Sequence, residues 1–426
     1  MDSLKFIHTA DLHLDSPFTG LGSVNAELAR AAQNAAFEAF EGLVDRAVRE
    51  EVDFFLVAGD IYDSADRSLR AQLRFCRALQ RMAEKGIPSF VVHGNHDPLD
   101  GWSAHLQWPE QVTVFPAGKV GSVAVIREGR EIARIWGVSY PRREILENLA
   151  IKFSRDAKTP FAIGLLHCNL GANTGHEPYA PCSLKDLEKG DFDYWALGHV
   201  HKRAVHRIGD KSLAVYPGSI QGRHPGESGP HGAMLVTVGS SGKIETEFVP
   251  VDNLRWESAE LDIGGLSGEG ELISALDDRI AELEDGAGGR HLCIRLALTG
   301  RGELHSALSR TGVIAELESD LRERWTGTPG ALVWIERCEN KTLPAVDLEK
   351  RRRADDFLAG LLEEFDRLCD TLQENREELL GVLAGLYQHS RARRFLAEPD
   401  EKELRELIES ARTLCIDRLA GEGEEG

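Results

Sequence analysis

Short apolar runs alternate with helix-like segments over the first 220 residues. Five of the runs have the length and composition of buried strands. They are Lys5–Ala10, Asp53–Ala58, Ser89–Val92, Phe161–Leu166 and Tyr194–Leu197. Apolar residues recur at helical spacing between the first and second runs, in Glu27–Glu50, and a further helix is predicted between the second and third runs, in about Asp66–Glu84. This alternation is typical of βαβ units and predicts a layered α/β fold.

Two other patterns follow along the chain. Residues 120–140 and 204–260 alternate apolar and polar positions and are interrupted by glycine, which predicts antiparallel strands and hairpins. After residue 252, a strand–helix–strand–helix–strand pattern is predicted over Arg255–Ile263, Glu269–Leu283, His291–Leu298, Ser306–Trp325 and Ala331–Arg337. Beyond Pro344 the chain is helix-prone and charged, with an apolar stripe and an acidic end.

Side chains that bind metal ions follow each of the five apolar runs. In order, the runs lead into Asp11-Leu12-His13, Gly59-Asp60-Ile61-Tyr62-Asp63, Gly94-Asn95-His96-Asp97, His167 and Gly198-His199-Val200-His201. In open α/β sheets the ligand crevice lies beyond the carboxyl ends of the strands, so we expect these groups to converge. The glycines before Asp60, Asn95 and His199 permit the tight turns and the close backbone approach that such a crevice requires.

Seven of these groups are enough to hold two divalent metal ions. The predicted ligands are Asp11, His13, Asp60, Asn95, His167, His199 and His201. Nitrogen and oxygen ligands without thiolates suit Mn²⁺, Fe²⁺ or Zn²⁺, and the carboxylate and amide oxygens favour Mn²⁺. Two such ions side by side promote displacement at phosphorus. A single histidine after a strand is more often structural, but five strand ends in this order indicate a two-metal phosphoesterase.

With these motifs, the chain resembles the calcineurin-like metallophosphoesterases, and within them the DNA-repair exonuclease branch of SbcD-like and YhaO-type proteins. The motifs cover residues 6–235, and the finer likeness is carried by Asp11–Phe18 and Tyr216–Glu227. The resemblance implies a four-layer α/β/β/α sandwich as a nuclease domain over 1–250. It further implies an α+β capping domain over 251–344 and a helical C-terminal region over 345–426.

The resemblance also implies a role for each site residue. One ion is expected on Asp11, His13, Asp60 and His201, and the other on Asp60, Asn95, His167 and His199. His96 is expected to be a catalytic group that stabilises charge or protonates the leaving oxygen. Asp63, the second acid of the GD-x-x-D motif, is expected to orient His96 through its carboxylate, and Asp97 to form hydrogen bonds behind the ligands.

Charge and cysteine content refine these expectations. The formal net charge is −20, of which −4 falls in residues 1–250 and −16 in residues 251–426. A negative net charge opposes binding to nucleic acid, but most of it lies in the C-terminal part, outside the predicted metal site. Cations bound at that site would make the local field positive. Seven scattered cysteines without a CxxC pair indicate a reducing compartment, so we expect a cytoplasmic protein. No apolar stretch is long enough to predict a membrane-spanning helix, and the first residues lack a signal-peptide pattern.

Three functions are compatible with this sequence. The leading interpretation is an Mn²⁺-dependent DNA exo/endonuclease of DNA repair. The resemblance implies that its C-terminal helices dock on a coiled-coil P-loop (SMC-like) ATPase, and it leaves room for a homodimer. The alternatives are a phosphodiesterase or phosphatase with non-DNA substrates, which the capping domain disfavours, and a non-catalytic DNA-binding scaffold, which is expected to have lost a ligand. The helical stripe is equally explained by tertiary packing.

Two sets of basic residues have open explanations. Arginines recur at helical spacing in the second predicted helix, at Arg67, Arg70, Arg74, Arg77 and Arg81. This arginine stripe could follow phosphates or contact a partner, although such faces are usually solvated. Arg223 and His224, in a Gly/Pro loop, could contact a substrate phosphate or shape the loop.

Overall fold

The computed structural model describes residues 3–16, 18, 26–63, 68–101, 107–156, 158–171, 179–326, 330–345, 357–387 and 399–421. By packing, the chain forms two compact units. The first comprises Met1–Ser258, Ala281–Arg295 and Leu321–Glu336, and the second comprises Ala259–Ile280, Leu296–Asp320 and Arg337–Gly426. The predicted domain borders at 250 and 344 stay predictions, because packing does not test which segments fold alone.

Twelve strands are present in the described part of residues 1–250. They are β1 (Leu4–Thr9), β2 (Phe54–Ala58), β3 (Ser89–Val92), β4 (Val112–Val114), β5 (Gly121–Arg127), β6 (Arg130–Gly137), β7 (Ala162–His167), β8 (Tyr194–Gly198), β9 (Ala204–Ile208), β10 (Ser212–Tyr216), β11 (Gly232–Val238) and β12 (Ile244–Pro250). Between them lie helices α1 (Ala26–Arg49), α2 (Leu69–Ala83) and α3 (Leu184–Lys189) and a 3₁₀ turn at Ala150–Lys152. The five predicted strand runs correspond to β1, β2, β3, β7 and β8.

These strands form two mixed sheets. Their strand orders are β12-β11-β1-β2-β3-β4 and β5-β6-β7-β8-β10-β9. β1 to β4 pair in parallel, as do β6 to β8. The pairs β5/β6, β9/β10 and β11/β12 are antiparallel, so the hairpins predicted within residues 120–140 and 204–260 are confirmed.

The two sheets pack face to face and are covered by helices on their outer sides. Successive residues of a strand point to opposite faces, so Phe54 packs with Ile163 between the sheets, whereas Phe55 packs towards α1 and α2. On the outer side of the second sheet, Trp195 packs with Leu187 of α3. Burial on both faces explains why the strands are apolar throughout. The predicted four-layer α/β/β/α sandwich is confirmed.

Residues 254–344 contain a smaller set of strands and helices. These elements are β13 (Leu254–Asp262), α4 (Glu269–Ala287), β14 (His291–Thr299), β15 (Arg301–Gly302), α5 (His305–Leu308), α6 (Val313–Thr326), β16 (Val333–Asn340) and β17 (Leu343–Pro344). The longer strands form a sheet in the order β13-β14-β16, and β15 pairs with β17. The single helix predicted over Ser306–Trp325 is wrong: Gly312, with a φ of 94°, separates α5 from α6.

The C-terminal region is helical, as predicted. It contains α7 (Phe357–Asp370), α8 (Arg376–Tyr387) and α9 (Glu401–Gly421). Leu362 of α7 is buried together with Ile416 of α9. Phe357 and Val382, by contrast, are 75% and 80% exposed. Among the described helices, none combines the length and apolar content needed to cross a bilayer.

Part of the arginine stripe on α2 forms ion pairs with α1. Arg74 donates to Glu41 at 2.6 Å, and Arg81 pairs with Asp45. Arg74 also lies over the ring of Phe37, with its Cζ 4.2 Å from the ring centroid. These arginines therefore join two neighbouring helices, a role that the sequence analysis did not consider. Arg67 lies outside the described residues.

The two sheets approach each other so closely at Gly198 that a side chain cannot fit. A Cβ there would clash with the Ala58 carbonyl oxygen, whereas a Cβ at Gly42, on α1, would meet no atom within 4 Å. We expect Gly198→Ala to lower the thermal unfolding midpoint, since overpacking costs about 1–3 kcal/mol. The control, Gly42→Ala, should keep or raise the midpoint, because alanine favours a helix by about 1 kcal/mol. Equal midpoints in circular dichroism melts would contradict the close approach.

Candidate metal centre

The loops after the five predicted strands bring their donor atoms together. The first donor group comprises Asp60, Asn95, His167 and His199. His167 Nε2 lies 2.9 Å from Asn95 Oδ1 and 3.3 Å from Asp60 Oδ2. His199 Nδ1 lies 3.2 Å from Asn95 Oδ1. These residues lie at or just after the ends of β2, β3, β7 and β8, so both sheets contribute to one group.

The second donor group comprises Asp11, His13 and His201. Its ligand atoms lie within 4.8 Å of one another, and His13 Nε2 is 3.1 Å from His201 Nε2. The Asp11 carboxylate accepts a hydrogen bond from the backbone N–H of His199 at 3.1 Å, which links the two groups. The structure thus brings together all seven predicted ligands. That they hold two metal ions stays a prediction.

Several donor residues have an unusual backbone conformation. The φ angles of Asp11, His13, Asp60 and His199 are 50°, 44°, 50° and 104°. Positive φ is uncommon outside glycine and costs of order 1–3 kcal/mol, and such strain clusters at functional sites. Hydrogen bonds between the loops hold it in place: the Asp11 N–H donates to the Gly59 carbonyl at 3.1 Å, and the His13 N–H donates to the Asp60 carbonyl at 3.0 Å.

Glycines leave room for the donors to approach one another. A Cβ on Gly94 would clash with the Asp60 carboxylate and with the ring of His167, and a Cβ on Gly59 would also overlap that ring. The close approach predicted for these glycines is confirmed. Replacing either one would displace a donor side chain from the group.

Two histidines are held through Nδ1, so that Nε2 is presented to the donor groups. His167 Nδ1–H donates to the Ala58 carbonyl at 2.9 Å, and His201 Nδ1–H donates to Glu227 Oε1 at 2.6 Å. Outer hydrogen bonds of this kind fix the tautomer and orientation of metal-binding histidines. Burial works against the ionised form of Glu227, but the bond from His201 outweighs it and lowers the Glu227 pKa to about 2.

Glu227 was not predicted as a site residue. Its only signal was its place at the end of the segment Tyr216–Glu227. Glu227 Oε2 also accepts the Arg223 N–H at 2.8 Å, and the Arg223 guanidinium donates to Asp63 Oδ1 at 2.8 Å and to Ser16 Oγ at 2.9 Å. Arg223 therefore shapes this loop and joins it to the neighbouring ones, which was one of the two roles considered for it.

His96 lies beside the donor groups and is more exposed than the predicted ligands. Its Nδ1–H donates to the main-chain carbonyl of Asp63 at 2.9 Å. The Asp63 carboxylate lies 3.8 Å from His96 Nδ1; it contacts Arg223 instead, and its Oδ1 is 3.1 Å from His13 Nδ1. Asp63 is thus placed to orient His96 through its backbone, whereas we expected its side chain to do so.

Asp97 ties two of the ligand-bearing loops together. It is fully buried, and its carboxylate accepts the N–H of Gly94 at 2.8 Å and the N–H of Ile61 at 3.0 Å. His93 Nδ1 is a third neighbour, at 3.0 Å. This arrangement matches the expected place of Asp97 behind the ligands, and it fixes β3 relative to the loop after β2.

The buried carboxylates of the centre favour the binding of a cation. Asp11 and Asp60 are both buried, and within the described residues neither carboxylate pairs with a lysine or arginine. Burial raises the pKa of Asp11 to about 6. Burial also opposes the charged forms of Asp60 and His167, but their mutual attraction outweighs it, which holds the pKa of Asp60 well below its usual range and raises that of His167 to about 9. Buried carboxylates of this kind are stabilised by a bound divalent ion, and the nitrogen and oxygen donors fit one.

Comparison with known proteins agrees with this chemistry. Residues 4–203 match the family model of the calcineurin-like phosphoesterases, and residues 256–343 match that of the middle domain of metallophosphoesterase YhaO. A Bacillus subtilis protein described as an uncharacterized metallophosphoesterase YhaO is 36% identical over 419 residues, which cover 98% of each chain.

More distant relatives carry a more specific description. The DNA double-strand break repair protein Mre11 of Sulfurisphaera tokodaii is 28% identical over 51% of this chain and 54% of its own length. The Mre11 protein of Aeropyrum pernix is 25% identical over 61% of this chain and 64% of its own length. The likeness predicted from the motifs is confirmed by the match to YhaO. The chain belongs to the calcineurin-like metallophosphoesterases, in the family of the Bacillus subtilis protein YhaO.

Proposed function

We propose that this metallophosphoesterase is a DNA nuclease that hydrolyses phosphodiester bonds with two divalent ions, preferably Mn²⁺. The observation that carries the proposal is the convergence of seven donors around two buried carboxylates for which the described residues provide no lysine or arginine partner. DNA as the substrate is supported by the likeness to Mre11 proteins, whose name places them in double-strand break repair.

The donor groups divide the ligands between the ions. One ion would be held by Asp11, His13, Asp60 and His201, and the other by Asp60, Asn95, His167 and His199. When bound, the ions supply an activated water and positive charge beside the phosphate. Carboxylate and amide oxygens in both sets favour Mn²⁺, although Fe²⁺ and Zn²⁺ also suit the imidazoles.

His96 is the residue that we assign to proton transfer. Its Nδ1–H is held by the Asp63 carbonyl, so Nε2 is the atom that can hold a proton at the leaving oxygen. Its ring packs edge-on against the ring of His13, with centroids 5.0 Å apart, and its backbone N–H donates to Asp60 Oδ1 at 2.9 Å, so His96 lies directly against the donor groups. The partial exposure of His96 suits a group that meets the substrate.

The C-terminal helices provide a candidate surface for a partner. Phe357 of α7, Val382 of α8 and Leu414 of α9 are 75%, 80% and 53% exposed. We propose that these exposed apolar side chains dock on a coiled-coil P-loop (SMC-like) ATPase, although Leu362, Phe365 and Leu368 of the predicted stripe pack within the chain. Co-elution of the chain with such an ATPase should be lost in Val382→Glu and kept in Gly381→Ala, a neighbouring change that adds no charge.

The choice of substrate is tested with end-labelled DNA, a phosphodiester reporter (bis-p-nitrophenyl phosphate) and the monoester p-nitrophenyl phosphate. With Mn²⁺ we expect turnover of DNA and of the diester and none after chelation. Hydrolysis of small esters without any cleavage of DNA would favour the alternative, a phosphodiesterase or phosphatase with other substrates. DNA binding without hydrolysis of any ester would point to a scaffold.

Replacing His96 should separate catalysis from metal binding. We expect His96→Leu to keep its bound Mn²⁺, because no ligand is removed, and to lose about 10²- to 10⁴-fold in rate, the usual cost of losing a positioned acid. The measurement is metal content and DNA turnover at saturating Mn²⁺. His206→Leu, on β9, is the control and should be active. Loss of a metal ion from His96→Leu would make His96 a ligand, and a near-normal rate would require another acid.

Replacing Asp60 should affect both properties. Asp60→Asn removes one negative charge from a site that is expected to serve both ions, so we expect Mn²⁺ occupancy and DNA turnover to fall together. Asp210→Asn, in the turn between β9 and β10, makes the same chemical change away from the centre and should alter neither. Full metal occupancy in Asp60→Asn would remove Asp60 from the ligand set.

A further inference from the structure

A cavity of about 690 Å³ lies beside the donor groups. His201 belongs both to its wall and to the second donor group, so the cavity borders the metal centre. The remaining wall comes from the loop between β8 and β9, the loop between β10 and β11, and β12. Pockets that bind small molecules or parts of larger ones fall in the range of roughly 300–1,000 Å³. The cavity is therefore large enough for a ligand of the size of a nucleotide.

The wall of this cavity carries two cations that have no acidic partner. Lys202 and Arg203 are exposed, and in the described part of the chain neither forms an ion pair with a carboxylate. Glu227, the carboxylate that lines the cavity, is already bonded to His201 and to the backbone of Arg223. In a protein of net charge −20, two uncompensated cations next to the metal centre favour an anionic ligand.

An aromatic ring holds one of these cations in place. The Arg203 Cζ lies 4.4 Å from the centroid of the Phe248 ring, and both residues line the cavity. Cation–π contact of this kind restrains the guanidinium plane. A restrained guanidinium is a surface on which nucleobases stack, and unpaired bases are recognised in this way because their faces are accessible.

We propose that this cavity binds the unpaired nucleotides of a DNA strand next to the scissile phosphate. Lys202 binds a backbone phosphate and Arg203, backed by Phe248, stacks on a base. The inference rests on the proposed nuclease function and adds to it a preference for single-stranded DNA or for frayed ends. A base paired in a duplex does not offer its face to Arg203, so blunt duplexes gain less from the cavity.

The test uses the full-length protein with Lys202 and Arg203 both replaced by glutamine. We expect KM for a single-stranded oligonucleotide to rise about 10- to 100-fold, as the loss of one stacking contact and one phosphate contact implies. Hydrolysis of bis-p-nitrophenyl phosphate should change much less, because this reporter has no second phosphate for Lys202 and no nucleobase for Arg203. The double variant of Arg207 and Lys211 to glutamine is the control, since it removes the same charge outside the cavity.

The outcomes separate this inference from the proposed function. Wild-type protein that hydrolyses the reporter but cuts no DNA would overturn the nuclease proposal itself, and the cavity proposal with it. If the wild type cuts DNA and the Lys202/Arg203 variant keeps its KM, the cavity proposal alone is wrong. An equal rise in KM for the Arg207/Lys211 control, or for blunt duplex, would also overturn it, because a general charge effect or duplex binding would then explain the change.

Discussion

The structure depends on keeping the carboxylates of Asp11 and Asp60 buried in neighbouring loops, with no lysine or arginine partner among the described residues. An uncompensated buried charge is costly, and the features around this pair favour its compensation by a cation. Asp11 and Asp60 themselves adopt positive φ, which turns the chain sharply where each strand ends. His167 and His201 are held through Nδ1, so their Nε2 atoms face the donor groups. Two divalent cations, one in each donor group, would satisfy these side chains.

The sandwich supplies the rigidity that this arrangement needs. Donors come from both sheets, so their separation is set by the packing between the sheets, where Phe54 and Ile163 lie in one core cluster. At Gly198 the sheets are too close for any side chain. Asp97 then locks two loops together from behind. Strained loops persist only when their surroundings restrain them. The packing of the apolar core therefore holds the donor-bearing loops in their strained conformation.

The donor residues could be predicted from the sequence because each lies at or just after the end of a strand, and strand ends are a local signal. Contacts between segments that are distant in the sequence have no such local signal. Glu227 supports His201 from 26 residues away, and no periodicity relates the two. Asp63 was expected to act through its carboxylate, but its main-chain carbonyl is the group that accepts the His96 hydrogen bond. The sequence does not show the course of the backbone that places this carbonyl beside His96. Gly312 illustrates a third case, since a glycine in a helical pattern is tolerated or breaks the helix depending on the tertiary structure around it.

We propose that the two donor groups together form a two-metal centre. The most direct measurement is the number of Mn²⁺ ions bound per chain by metal-free wild-type protein, from calorimetric titration together with elemental analysis after dialysis. The account predicts two ions per chain, with uptake that releases protons because the imidazoles and carboxylates must be deprotonated to bind. Binding of a single ion, or of none, would contradict it.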